Sequence, residues 1–218
     1  MVRKMTVLLA LLGLVVAPAM ATPAPAPAGE TSLWDIYANI YGLSGFTAGD
    51  LDALSVVNPG LFTLLGDTSL TARAHYAGYD QWLGLYSYDD DNNYVNEGAL
   101  FTNITEQGML DPDDYTVQVS NVGDFGFWHQ AGGFNTWYSE DALNGDGGSH
   151  LMVFQGQNAN EYVLAWEDVD VNRADMDYND LVLTIYLGAE NVVPEPTSML
   201  LLGMGVAGIA ARRMRKTR

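Results

Sequence analysis

The chain has 218 residues, with 27 acidic and 9 basic side chains and a formal net charge of −18 at pH 7. All of the acidic residues lie between Glu30 and Glu195, so this span would repel phosphate backbones, which argues against nucleic-acid binding. The sequence has no cysteine, which excludes disulfides, thiolate chemistry and a lipid-modified N-terminal cysteine.

The N-terminus has the three parts of a secretory signal. Two basic residues begin it, an apolar run too short to span a membrane comfortably follows, and Ala19 and Ala21 form a small-x-small cleavage site. Residues 1–21 are therefore predicted to be removed by signal peptidase, with an N-terminal membrane anchor as the alternative. Residues 22–29 have proline at every second position, which predicts an extended linker that holds the new N-terminus away from the domain.

Residues 30–66 are predicted to form a small helical element that packs on a sheet domain. Ser32 can cap a helix that begins at Leu33, apolar residues then recur at helical spacing, and Gly42 ends the pattern. A second short helix is predicted over residues 48–54.

Residues 67–190 consist of short apolar runs separated by Gly, Asn and Asp. The runs predict nine strands, at residues 70–76, 81–88, 99–102, 115–119, 125–128, 136–139, 151–155, 162–166 and 181–187. No helix-length apolar pattern alternates with them, which disfavours a parallel α/β sheet. The predicted fold class is therefore mainly β, a jelly-roll-like antiparallel β-sandwich with the helical element at its N-terminal side and a signal and a membrane helix at the two ends.

The most unusual stretch is the acidic loop (residues 167–180), which lies between an aromatic strand end and a strongly apolar strand. It contains six carboxylates and one basic residue, Arg173, so it repels itself unless it is solvated or holds a cation. The side chains that make it a candidate calcium site are Glu167, Asp168, Asp175, Asp177, Asn179 and Asp180. The alternative is a loop in which Asp and Asn side chains cap their own backbone turns.

The spacing in this loop is not that of an EF-hand. Oxygen-bearing side chains recur at alternate positions from Asp175, but Asp180 stands where the turn glycine belongs and Tyr186 where the bidentate glutamate belongs. A second partial match lacks the same two features and consists of Asp89, Asp91, Asn93 and Glu97. A calcium site in this chain would therefore combine oxygens from separate loops.

Residues 191–218 form a tail of another kind, in which a Pro-Glu-Pro break precedes an uncharged segment and a basic end. The segment 197–211 is predicted to be a membrane helix that anchors the protein in the inner membrane with its basic end in the cytoplasm. The tail resembles the PEP-CTERM sorting signal of Gram-negative bacteria, which implies recognition by an exosortase. The residues that match this signal are Pro194, Glu195, Pro196, Arg212 and Arg213.

A second resemblance lies in the sheet domain, over roughly residues 75–188. Trp166-Glu-Asp at one strand end and Asp175-x-Asp-Tyr-Asn-Asp-Leu before the last strand are similar to a secreted bacterial domain of unknown function. This resemblance implies a β-rich extracellular domain that is suspected of binding calcium and has no known enzyme activity. The sequence departs from that pattern in its longer acidic insert at residues 168–174.

Together these features predict an exported, non-enzymatic protein of the cell surface or exopolysaccharide matrix, stabilised by calcium. The partners expected are signal peptidase and exosortase during export, the inner membrane before processing, and exopolysaccharide afterwards. One alternative is a calcium-dependent carbohydrate-binding module in which Trp82, Trp128 and Trp137 stack on sugar rings. The other, ranked last, is a polysaccharide hydrolase, because the many carboxylates could supply a pair about 5–10 Å apart.

Overall fold

The computed structural model describes residues 23–63, 68–120, 123–133 and 135–188. The predicted signal peptide and the sorting tail, with its predicted membrane helix at 197–211, lie outside these ranges. Within them, no helix has both the length and the apolar character needed to cross a membrane.

The described residues form mainly strands. The helices are α1 (Leu33–Tyr41), α2 (Ala48–Asp52) and a 3₁₀ turn at Asp141–Leu143. The strands are β1 (Ser55–Val56), β2 (Phe62–Thr63), β3 (Thr68–His75), β4 (Gln81–Tyr88), β5 (Tyr94–Ile104), β6 (Gly108–Met109), β7 (Thr116–Val119), β8 (Asp124–Ala131), β9 (Thr136–Tyr138), β10 (Leu151–Gln155), β11 (Glu161–Trp166) and β12 (Leu181–Tyr186). Every strand pair is antiparallel, so the prediction of a mainly β, antiparallel fold is confirmed.

The strands form two sheets. The first sheet has the order β1-β10-β11-β12-β3-β6, and β7 also pairs with β3. The second sheet has the order β2-β8-β4-β5, and β9 also pairs with β8. The neighbours β10, β11 and β12 follow one another along the chain, so each connection between them is a hairpin loop, and the two loops lie at opposite ends of β11.

Both faces of the central strands of the first sheet are buried, which explains why their sequences are continuously apolar. In β11, Leu164 and Trp166 belong to the core that the first sheet shares with aromatic residues of the second sheet. Val163 and Ala165 point to the opposite face and pack with the helices. Because successive side chains of a strand alternate between faces, a strand in the middle of three layers needs apolar residues at every position.

The helical element covers the outer face of the first sheet. The Ser32 side chain accepts a hydrogen bond from the Asp35 N–H at the start of α1, and Gly42 ends the helix with a φ of 65°. Leu33 and Ile36 of α1 and Leu51 of α2 are fully buried in this contact. The helices therefore attach to the sheet through an apolar face, and local capping determines where α1 begins and ends.

The proline-alanine segment lies on the sheet domain, whereas the sequence predicts a linker that holds the N-terminus away from it. We call residues 23–31 the N-terminal arm. Pro23 is buried, and the Ala24 N–H donates a hydrogen bond of 2.8 Å to the carbonyl of Met176 in the acidic loop. An extended proline-rich backbone keeps its own N–H and C=O groups unpaired, so they are available to a neighbouring loop.

A candidate cation site in the acidic loop

The acidic loop connects two neighbouring antiparallel strands, and this connection brings its two ends together. Trp166, the last residue of β11, pairs with Leu181, the first residue of β12. Glu167 and Asp168 therefore leave the sheet where Asp180 enters it. The backbone N–H of Asp168 donates a hydrogen bond of 2.8 Å to Oδ2 of Asp180. Strand register alone thus places three carboxylates of the loop side by side.

These three carboxylates meet a basic geometric requirement of a cation site. Glu167, Asp168 and Asp180 each offer an oxygen, and these oxygens all lie within 4.8 Å of one another. Calcium binds oxygens at about 2.4 Å, so two of its ligands are at most about 4.8 Å apart. One ion can therefore contact all three side chains.

Burial distinguishes this loop from an ordinary solvated acidic turn. Glu167 and Asp177 are each 1% exposed and Asn179 is 0% exposed. Three of their oxygens, Glu167 Oε2, Asp177 Oδ2 and Asn179 Oδ1, have no hydrogen-bond partner among the described residues. A buried oxygen without a partner loses its hydration and gains nothing in exchange, which costs about 1–3 kcal/mol and more for a charged group. A cation at these oxygens would remove that cost.

The electrostatics of the loop oppose ionisation when no cation is present. Burial raises the pKa of Glu167 to about 8, and the charge of Asp175 adds to the effect. Burial likewise raises the pKa of Asp180 to about 10, with Asp168 as the strongest charged neighbour. The pKa of Asp168 is also raised by burial, although a hydrogen bond from Gln81 and the charge of His75 partly oppose that rise. Carboxyl groups of this kind favour either a proton or a bound cation.

Neighbouring side chains fix the first end of the loop through its backbone. The indole Nε1–H of Trp137 donates to the Asp168 carbonyl at 2.8 Å, and Nδ1 of His150 lies 3.1 Å from the Glu167 carbonyl. The Trp137 and His150 rings stack with their centroids 3.8 Å apart. The side-chain amide of Gln81 donates to Asp168 Oδ2 at 2.8 Å. The carboxylates of this end are therefore held in place by groups that do not bind the ion themselves.

The second end of the loop turns its side chains alternately inward and toward the N-terminal arm. Met176 and Tyr178 adopt left-handed backbone conformations, with φ of 64° and 56°. Both pack with the core between the helices and the first sheet, and the Tyr178 hydroxyl donates to the Ser149 carbonyl at 3.0 Å. A non-glycine residue in this conformation costs roughly 1–2 kcal/mol, so these core contacts keep the loop in its shape.

The predicted calcium ligands thus divide into two groups. Glu167, Asp168 and Asp180 lie together, whereas Asp175 and Asp177 lie together with a residue that the sequence does not single out, Glu30. The sequence also gives no sign of the supporting roles of Gln81, Trp137 and His150. Their positions depend on which strands meet at this end of the sandwich, and no local spacing encodes that.

The three tryptophans predicted to stack on sugars are in different places. Trp82 and Trp128 are partly buried residues of the second sheet, and Nε1 of Trp128 donates to the Leu85 carbonyl at 3.1 Å. Trp137 is 3% exposed and lines a cavity of about 350 Å³ beside the acidic loop. That cavity is lined by Tyr79, Asn135, Trp137, Asp168, Val169, Asp170 and Arg173.

The predicted sorting residues lie outside the described residues, but their sequence matches a known motif. Residues 192–216 match the family model of the PEP-CTERM protein-sorting motif, so the resemblance of the tail is confirmed. The motif implies export and sorting by an exosortase to the cell surface. The match does not extend to the sheet domain, whose resemblance to a secreted domain of unknown function stays a prediction. No match was found among the curated proteins with which the sequence was compared.

Proposed function

We propose that this chain, which carries a PEP-CTERM protein-sorting motif, is an exported, non-enzymatic protein of the cell surface or exopolysaccharide matrix whose sheet domain is stabilised by calcium. The observation that supports calcium most strongly is the buried Oε2 of Glu167, which has no partner among the described residues and belongs to the group at Glu167, Asp168 and Asp180. In this role the ion joins the end of β11 to the start of β12. The acidic loop would then be a structural clamp of a jelly-roll-like sandwich.

The chemistry of the ligands favours calcium over other metals. The group at Glu167, Asp168 and Asp180 offers carboxylate oxygens, which suit hard cations, and the chain has no cysteine for softer ones. Calcium accepts irregular geometry and six to eight oxygens, whereas magnesium requires a near-octahedral site and retains several waters. A loop of buried, unevenly spaced carboxylates therefore fits calcium better.

Unfolding of the exported protein in calcium and in chelator tests this proposal. A ligand that binds the folded state alone at 100 times its Kd stabilises it by about 2.7 kcal/mol. For a chain of this size, that corresponds to an increase in Tm of roughly 5–10 °C. Magnesium at the same concentration should give a smaller increase. Equal melting curves in calcium and in chelator would rule out the structural ion.

The sorting part of the proposal has its own test. A chain that ends after residue 190 lacks the matched motif at 192–216 but keeps the described domain. In a host that has an exosortase, the full chain should reach the cell surface or the extracellular matrix. The truncated chain should cross the inner membrane and then fail to reach that location. Identical distribution of the two chains in cell fractions would contradict sorting by this tail.

The cavity beside the loop favours carbohydrate binding as a second candidate function. Tyr79 is 45% exposed at its rim and Arg173 is exposed, so an aromatic ring and a guanidinium are both accessible to a sugar.

Binding of the host exopolysaccharide tests this second candidate, and it should weaken in chelator and in Tyr79→Ala. Tyr94→Ala is the matched control, because Tyr94 is similarly exposed and does not line this cavity. Failure to bind any polysaccharide would contradict this candidate, and measurable turnover of one would contradict the non-enzymatic proposal.

A further inference from the structure

Both ends of the N-terminal arm contact the acidic loop. At its start, the Ala24 N–H donates to the Met176 carbonyl at 2.8 Å. At its end, the Asn179 side-chain amide donates to the Thr31 carbonyl at 3.1 Å, directly before the cap of α1. The arm therefore runs along residues 176–179 of the loop. This segment contributes no side chain to the group at Glu167, Asp168 and Asp180.

Glu30 brings a carboxylate from the arm to this segment. Its Oε2 accepts a hydrogen bond of 3.3 Å from the amide of Asn179. Glu30, Asp175 and Asp177 each offer an oxygen, and the three oxygens lie within 4.8 Å of one another. This is again the largest separation that two ligands of one calcium ion can have. The group shares no residue with the one at Glu167, Asp168 and Asp180, so it is a second place for an ion.

Two buried oxygens show that this second group lacks a partner. Asp177 is 1% exposed and its Oδ2 has no hydrogen-bond partner in the described part of the chain. Asn179 is 0% exposed, and its Oδ1 is likewise unpartnered while its amide is held by Glu30 and Thr31. Three carboxylates and an amide oxygen meet at this place without a salt bridge from any basic side chain of the described ranges, and a divalent cation would supply the missing counter-charge.

The two groups influence each other electrostatically. Burial raises the pKa of Asp177 to about 7, and the charges of Asp175 and Glu30 add to the rise. The charge of Glu30 also contributes to the raised pKa of Asp168 in the other group. Cations at both places would therefore neutralise a single continuous patch of negative charge.

We propose that Glu30, Asp175 and Asp177 form a second calcium site, with Asn179 as a neutral oxygen ligand, and that calcium there fastens the N-terminal arm to the sheet domain. This inference rests on the proposed function, because it assumes that the acidic loop binds calcium at all. Glu30 and Asp175 are exposed, so this site binds more weakly than the buried one, in the range typical of extracellular calcium modules. The arm begins two residues after the predicted signal cleavage site, so the ion would order the new N-terminus after export.

Calcium titration of the exported protein, combined with hydrogen exchange of the arm, tests the second site. The wild-type protein should bind two calcium ions, and calcium should slow exchange of the Ala24 amide, which donates to Met176. Glu30→Gln removes the charge but keeps the shape of the side chain. It should bind one ion, and exchange at Ala24 should no longer respond to calcium.

The controls separate failure of this site from failure of the proposed function. Asp90→Asn removes an exposed carboxylate elsewhere and should bind two ions like the wild type. Asp175→Asn changes the same site from the loop side, so it should reproduce Glu30→Gln even if one of the two variants folds poorly. Two ions in both site variants, or calcium-independent exchange at Ala24 in the wild type, would overturn the second site alone. Absence of any calcium binding by the wild type would overturn the proposed function as well.

Discussion

The acidic loop and the turn between β4 and β5, at residues 89–93, both have Asp and Asn at alternate positions, yet they differ in how completely their oxygens are satisfied. In the turn, Asp89 is exposed, and its Oδ1 accepts hydrogen bonds from the backbone N–H groups of Asp91 and Asn93 at 3.0 and 2.7 Å. The side-chain amide of Asn93 donates to both Asp89 oxygens. These hydrogen bonds lower the pKa of Asp89, so the carboxylate is stable without a cation.

In the acidic loop, Asp177 Oδ1 also accepts from a local backbone N–H, that of Asn179 at 3.2 Å, but three buried oxygens have no hydrogen-bond partner in the described part of the chain. They are Glu167 Oε2, Asp177 Oδ2 and Asn179 Oδ1. Glu167 and Asp177 are each 1% exposed, and burial raises the pKa of both. The comparison shows that alternate spacing of Asp and Asn does not by itself indicate a cation site. What distinguishes the two loops is that burial leaves some oxygens of the acidic loop without either a local backbone N–H group or water.

Removal of the buried carboxylates should have the largest effect on this comparison. In the double variant Glu167→Gln, Asp180→Asn, the stabilisation by the ion at these carboxylates, about 2.7 kcal/mol at 100 times its Kd, should be lost. Only the smaller increase from the weaker site at Glu30, Asp175 and Asp177 should remain. In chelator, the same variant should be as stable as the wild type or more stable, because neutral amides replace carboxyl groups whose ionisation is opposed by burial. Urea unfolding with and without calcium measures both effects.

The turn provides the matched control for that variant. Asp89→Asn is the same chemical change on an exposed carboxylate that its own backbone satisfies, so its response to calcium should equal that of the wild type. If the double variant kept the full wild-type response to calcium, or if Asp89→Asn lost it, the assignment of the ion to Glu167, Asp168 and Asp180 would be wrong.

The second prediction concerns pH, and its sign follows from the raised pKa values. Without calcium, Glu167 and Asp177 retain protons in the folded state up to about pH 8 and 7, whereas unfolded carboxyl groups ionise near pH 4. The folded state therefore binds more protons between about pH 4 and 8, and the free energy of unfolding decreases as pH rises through that window. Each extra proton contributes a slope of about 1.4 kcal/mol per pH unit.

Calcium should reverse this trend, because ionised carboxylates are the form that binds the cation. The stabilisation by calcium should accordingly grow from pH 5 to pH 8, since binding has to displace fewer protons. Urea unfolding at several pH values, in chelator and in calcium, measures the two slopes. Stability in chelator that rises with pH over this window would show that these carboxylates are ionised in the folded protein.

Part of the fold and of the candidate site could be predicted from the sequence. The bounds of α1 follow from local capping by Ser32 and Gly42. The proximity of Glu167 and Asp180 follows from their places at the facing ends of two consecutive strands. These features depend on residues close in sequence or on a simple hairpin connection, and a pattern of residue types encodes them.

The rest depends on tertiary contacts that no local pattern encodes. The strands β1, β2 and β6 have two residues each and exist because β10, β8 and β3 offer them a pairing edge. The exposed first half of β5 has no apolar alternation and is absent from the nine predicted strands. Glu30 meets Asp177 because the arm returns over the loop, and an extended proline-rich segment gives no indication of where it docks.

The third prediction tests the groups that hold the loop without binding the ion. Trp137→Phe removes the indole N–H that donates to the Asp168 carbonyl, and we expect calcium affinity to fall about tenfold, as for other residues that orient metal ligands. Trp128→Phe is the control, because it removes an indole N–H that donates to the Leu85 carbonyl in the second sheet. Both variants should lose about 1–3 kcal/mol of stability, and Trp137→Phe alone should change the Kd in a calcium titration. Equal Kd values in the two variants would mean that the Asp168 backbone is positioned by other contacts.

The smallest effect is expected at the exposed turn, where a carboxylate acts on its own backbone. Asp89→Ala removes the acceptor of the Asp91 and Asn93 N–H groups, but water can reach those groups because the turn is exposed. The free energy of unfolding should therefore fall only slightly, and by the same amount in calcium and in chelator. The difference between the two proteins should shrink as pH falls below about 4 and should vanish only once the pH is below the lowered pKa of Asp89 in the folded state, where its carboxylate is protonated. If the difference in free energy of unfolding between the wild type and Asp89→Ala depended on calcium, the turn would also take part in binding the ion. Hydrogen bonds from the local backbone would then not be enough to distinguish this turn from the acidic loop.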